Sequence, residues 1–144
     1  MKLVDFYRNT AFDNRYDENS FIGKILNYNL WSDDEYWKLE ADLQKLLRLN
    51  LNKIFIKQEI MEGIFSICND VFLAQKWDFI KIDSDILYKN NPNIIDKEPN
   101  IYDRFRRLKR LLVAVAYGDE NFFNIDFVYK KPEISCKKDS KKEA

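Results

Sequence analysis

The chain has 144 residues, 24 Lys and Arg against 24 Asp and Glu, and no histidine at all. Without imidazole, Ser-His-Asp, Cys-His and histidine-bearing zinc sites are excluded, and Cys68 and Cys136 stand too far apart in sequence to suggest a thiolate cluster. Hydrophobic residues at 46% and aromatics at 15% supply a packed core, while three Gly and three Pro are too few for the turns of a sandwich or barrel. The expected fold is mostly α: a single-domain helical bundle of four to five helices over residues 1–129, with a Lys-rich disordered tail over 130–144.

In chain order, residues 1–20 show neither an apolar core nor a small-residue cleavage site, so no targeting segment is expected. Ser20 reads as the N-cap of a short helix with Phe21, Ile22, Ile25 and Leu26 on one side. Gly23 weakens that helix unless another backbone packs closely there. Asn27 to Trp31 reads as a turn. Ser32 and Glu35 form a capping-box pattern, and Asp33 and Asp34 suit the positive end of a helix dipole. The helix that follows carries Tyr36, Leu39, Leu43, Leu46 and Leu47 on one face. Trp37 falls about 100° from that face, either partly exposed or packed on the neighbouring short helix.

Leu49 to Phe55 breaks the pattern and reads as a connection. Gln58 to Lys76 reads as a central helix with a wide apolar stripe of Ile60, Met61, Ile64, Phe65, Ile67, Cys68, Val71 and Phe72. Trp77 to Ile82 is a short strand or extended linker, Ser84 caps a short helix through Tyr88, and Asn90 to Asn100 is a loop. A last long helix runs from Pro99 or Ile101 to Tyr117 and stops at Gly118. Ile101, Phe105, Leu108, Leu112 and Val115 line its inner face, with Arg104, Arg107 and Lys109 elsewhere. Asp119 to Tyr129 alternates as a strand or cover segment, which leaves open a minor two-stranded element with 77–82 near the C-terminus.

The longest apolar run, Leu111 to Tyr117, is far short of the roughly 20 residues that span a bilayer, so no membrane association is expected. Cys68 in an apolar pattern and Cys136 in the tail read as free thiols, which points to the cytoplasm.

Zero net charge conceals segregation. Asp13 to Asp42 holds eight acids against three bases, whereas Asp103 to Arg110 holds five bases against one acid. Asp83-Ser84-Asp85 resembles a D-x-D metal motif, but acids are expected ahead of a short helix in any case. There is no Gly-rich phosphate loop, and no spacing singles out a pair of catalytic carboxylates. No enzyme activity, metal or cofactor is expected.

Two binding readings remain. Arg104, Arg106, Arg107, Lys109 and Arg110, with Tyr102 and Phe105, would make helix 101–117 a nucleic-acid or regulatory surface. That reading loses ground if these cations pair internally with the acidic first half. In the N-terminal third, aromatics and acids interleave, a composition found at protein interfaces where aromatic anchors sit inside a charged rim.

There, Arg8-Asn9-Thr10-Ala11-Phe12-Asp13, Ser20-Phe21-Ile22-Gly23-Lys24-Ile25-Leu26 and Asp34-Glu35-Tyr36-Trp37-Lys38-Leu39-Glu40 resemble bacterial immunity proteins of polymorphic-toxin and contact-dependent growth-inhibition systems. The resemblance covers about residues 8–45. It implies a small, mostly helical cytoplasmic protein that binds a cognate toxin domain, a nuclease by expectation, and occludes its active site or substrate groove. An acidic inhibitor face would compete for a basic groove. The expected contact residues are Asp17, Glu18, Asp33, Asp34, Glu35 and Trp37. Toxin identity, stoichiometry and self-association are not readable from the sequence.

Overall fold

The computed structural model describes residues 2–52, 57–73, 77–83 and 99–132. Its longest helices are amphipathic segments whose ends carry the caps that their sequences call for. Helix α1 spans Val4–Arg8, α2 Phe21–Tyr28, α3 Asp33–Leu51, α4 Gln58–Cys68 and α5 Ile101–Tyr117. Strand β1 (Leu30–Ser32) pairs in parallel with β2 (Lys81–Asp83). The long helices α3 and α5 pack on each other, with α1, α2 and α4 around them.

The caps follow from local chemistry. Ser20 Oγ accepts from Gly23 N–H and Ser32 Oγ from Glu35 N–H, each satisfying a helix-start donor. Asn100 and Asp103 form a reciprocal capping box on α5, and Gly118 closes that helix at φ 68°. Gly23 is where the chain demands the absence of a side chain: a Cβ would lie 2.3 Å from the Glu18 carbonyl oxygen. The close backbone approach expected for that glycine is therefore present.

Helix α1 has no cap of its own. Its Phe6 N–H is taken by the buried Asp42 carboxylate of α3 at 2.9 Å, a tertiary cap with no local signature. Asn9 then ties α1 to α2, accepting from Ile22 N–H at 2.8 Å.

The core contains Phe21, Ile22, Ile25, Tyr36, Leu39, Leu43, Leu46, Leu47, Leu108, Leu112 and Val115, as the helical spacing predicts. Several expectations are corrected. Leu26 is exposed, because α2 turns only Phe21, Ile22 and Ile25 inward with Gly23. The turn expected at Asn27–Trp31 is instead the end of α2, left-handed Asn29 at φ 52°, and β1. Helix α3 continues through Leu51. The single helix expected over Gln58–Lys76 ends at Cys68 in a π-helical turn, Asn69–Leu73, and Phe65 faces outward.

Residues 77–82 form a 3₁₀ turn, Trp77–Phe79, followed by β2, which pairs with β1 and not with 119–129. Glu120–Asn124 is a 3₁₀ turn, and the residues after it are an extended cover that buries Phe127 and Tyr129. The minor sheet thus joins residues 30–32 to 81–83. The expected Ser84 helix, Asp85, Cys136 and the tail from residue 133 lie outside the described residues.

Candidate functional site

The start of α3 meets α5 and the cover segment after it through buried charge. Arg104 donates from Nε and Nη2 to the two Asp33 oxygens at 2.9 and 2.8 Å, with both side chains fully buried. Tyr129 donates its hydroxyl proton to Asp33 Oδ1 and accepts from Trp31 Nε1 at 3.2 Å. Arg104 Nη1 also donates to the Pro99 carbonyl. A second network lies one turn along: Arg107 grips Glu40 at 2.9 and 2.7 Å, and Tyr36 donates to Glu40 Oε1 at 2.6 Å. Burial pulls the Arg107 pKa down, but the hydrogen bond to Glu40 more than offsets it and leaves the guanidinium firmly charged. Burial also holds the Tyr36 phenol well above its ordinary range.

Two of the five cations of the 104–110 run are therefore committed inward, which corrects the reading that places Arg104 and Arg107 away from the core face. The basic-helix alternative keeps Arg106, Lys109 and Arg110.

A different arrangement lies at the N-terminal face. Arg8, on α1, is held by three carboxylates: Asp5 at 3.0 Å, Asp17 at 2.9 Å and Glu35 at 2.9 Å. Burial opposes the Arg8 charge, and the bonds from Asp17, Asp5 and Glu35 override that and raise its pKa. Asp17 is 39% exposed at its side chain. Its carboxyl is held below the usual range by the Asn19 N–H and then by Arg8. Lys38 reaches Glu35 at 3.1 Å, and Glu18 and Asp34 are exposed nearby in sequence. Asp5, Asp17 and Glu35 thus share Arg8, and Glu35 also takes Lys38.

Of the six residues expected to meet a partner, the structure brings Asp17 and Glu35 together on Arg8 and leaves Glu18 and Asp34 exposed. It does not bring Asp33 or Trp37 to the surface. Asp33 is the buried partner of Arg104. Trp37 is buried and stacks on Tyr129 with ring centroids 4.8 Å apart, with the Arg107 guanidinium 5.0 Å over its ring. An aromatic ring beside a guanidinium gains more from this desolvated site than from exposure, so burial prevails, with Tyr129 and Arg107 as the recorded neighbours where the short helix was expected.

The residues missed from sequence are Arg8, Asp5 and Lys38. Arg8 opens the first stretch of the family resemblance, but one arginine among many carries no mark of its three partners.

Among the described residues, no helix is long and apolar enough to cross a membrane. A family model described as Immunity protein 41 matches residues 8–128. No curated protein and no solved structure matches the chain.

Proposed function

The chain belongs to the Immunity protein 41 family, an immunity-protein family of polymorphic toxin systems, and from that premise we propose that it neutralises a cognate toxin domain by occluding its active site or substrate groove. The toxin is a basic nuclease, and the protein works in the cytoplasm as a stoichiometric, non-catalytic inhibitor. The carrying observation is the acidic face: Asp5, Asp17 and Glu35 gathered on Arg8, with exposed Glu18 and Asp34.

Physical reasoning supports this face over the others. A nuclease must attract a polyanion, so its groove is lined with Lys and Arg, and a carboxylate-rich surface competes for those groups. Complementary charge accelerates encounter, which protects a cell against a toxin made in the same place. Arg8 serves a positioning role, because it holds Asp17 and Glu35 side by side despite their mutual repulsion. Asp33 and Trp37 contribute from inside, fixing the start of α3 so that Asp34 and Glu35 are presented.

Competition tests the reading. The purified protein, added to the toxin domain encoded beside it, is expected to displace a labelled nucleic-acid substrate from the toxin, with affinity falling as salt rises. Simultaneous binding of substrate and this protein would remove groove occlusion as the mechanism.

A further inference from the structure

Strand β2 has an outer edge that no strand covers among the described residues, and all three of its residues are exposed. Its register with β1 is Leu30↔Lys81, Trp31↔Ile82 and Ser32↔Asp83, and Lys81 N–H donates to the Asn29 carbonyl at 2.9 Å. The main-chain groups of Lys81 and Asp83 therefore turn toward β1. Alternation along a strand turns those of Ile82 to the opposite, open side. Parallel strands are ordinarily covered, and open edges are ordinarily blunted. Here Lys81 is the one cation within β2.

Large apolar side chains lie in β2 and in the turn that leads into it. Phe79 is 68% exposed, Tyr102 52% and Ile82 39%. Tyr102 donates to Asp78, next to Phe79, so the start of α5 lies against that turn. Exposed Asp78 and Asp83 border the shelf. The Ser32↔Asp83 register carries it directly to the start of α3, where Asp34 and Glu35 belong to the acidic face.

We propose that the outer edge of β2, with Phe79, Ile82 and Tyr102, receives an extended segment of the cognate toxin as an added strand. This rests on the immunity reading above and names its apolar anchor. The bound segment alternates apolar residues over the aromatic shelf and carries Lys or Arg where it meets Asp83 and Asp34. Main-chain hydrogen bonds at Ile82 supply affinity, and the shelf supplies selection. The acidic face then steers the toxin, and the strand edge holds it.

The test measures affinity of the wild-type protein and four variants for the neighbouring toxin domain. Ile82→Pro removes the outward N–H while leaving the Lys81 and Asp83 bonds to β1, and Phe79→Ser and Tyr102→Ser remove shelf area. Each is expected to weaken binding by about tenfold or more. Phe65→Ser, on the outer side of α4, is the control and is expected to stay within about twofold. If Ile82→Pro fails to fold, the two Ser variants decide the matter. Wild-type affinity in folded Ile82→Pro, or in both Ser variants, overturns the strand-edge proposal and leaves the immunity reading standing. Dimerisation of the wild-type chain that Ile82→Pro abolishes, with toxin affinity unchanged, also overturns it and gives the edge to a second copy. No binding by the wild-type protein overturns the immunity reading and this proposal together.

Discussion

Arg104 and Asp33, 71 positions apart, close a bidentate ion pair at 2.9 and 2.8 Å inside the core and thereby fix the first residue of α3 against α5. Tyr129 adds its hydroxyl to the same carboxylate, so the C-terminal cover is locked by the same group. Exposed pairs contribute little to stability, but removing one partner of a buried pair strands the other charge without water. Arg104→Met is therefore expected to destabilise the fold by about 3–5 kcal/mol in urea unfolding. A loss under about 1 kcal/mol would mean that water reaches Asp33.

The glycine at position 23 has a purely steric role. Because a Cβ there would meet the Glu18 backbone at 2.3 Å, and backbone cannot swing aside as a side-chain tip can, Gly23→Ala is expected to cost about 2–3 kcal/mol despite alanine's better helix propensity. Gly118→Ala meets a left-handed φ of 68° and side-chain atoms of Asn50 at 3.3 Å, and is expected to cost about 1 kcal/mol. Thermal unfolding of the two variants checks the order.

Asp70, in the π-helical turn after α4, has its Oδ2 buried without a hydrogen-bond partner among the described residues. Burial raises its pKa, and a hydrogen bond involving Asn69 lowers it only in part. A carboxyl that holds its proton longer folded than unfolded adds stability below the ordinary carboxylate range, and that stability is lost as pH rises through the raised folded value. Asp70→Asn is therefore expected to be more stable than wild type at pH 7 by up to about 1 kcal/mol, the difference closing below about pH 4. Equal denaturation midpoints at pH 7 would show that the charge is well solvated.

The acidic face makes a kinetic prediction. Glu18→Lys combined with Asp34→Lys is expected to slow toxin association by about tenfold at low salt, with the gap shrinking at high salt and dissociation little changed. Stopped-flow association at two ionic strengths measures it. An unchanged low-salt rate assigns the encounter to another surface. Asp33 is left out of this variant because its reversal would bury a Lys beside Arg104.

Helical content, most caps and the inward stripes of α2, α3 and α5 were legible because each depends on spacing within one segment. Ser20, Ser32 and Gly118 act on backbone groups a few residues away, and local sequence encodes such contacts, whereas the Asn100 cap was read as the end of a loop. What was not legible depends on pairings across the chain. Asp42 caps α1 from α3, β1 finds β2 about fifty residues later, and Asp33 and Arg104 look like surface charges until they meet. Trp37 shows the same limit. Its helical angle permitted either exposure or burial, and only the arrival of Tyr129 and Arg107 decided between them. For the candidate site, the acidic bias of the first third was readable, whereas its organisation around Arg8 was not.

The function proposed above is stoichiometric occupancy of the toxin and not turnover. Titrating the purified chain into a fixed amount of the neighbouring toxin domain while following toxin activity tests it most directly. Toxin activity is expected to fall linearly to zero, with a sharp break at a fixed molar ratio of about one. Full activity at excess inhibitor, or loss of activity at a small fraction of an equivalent, would contradict it.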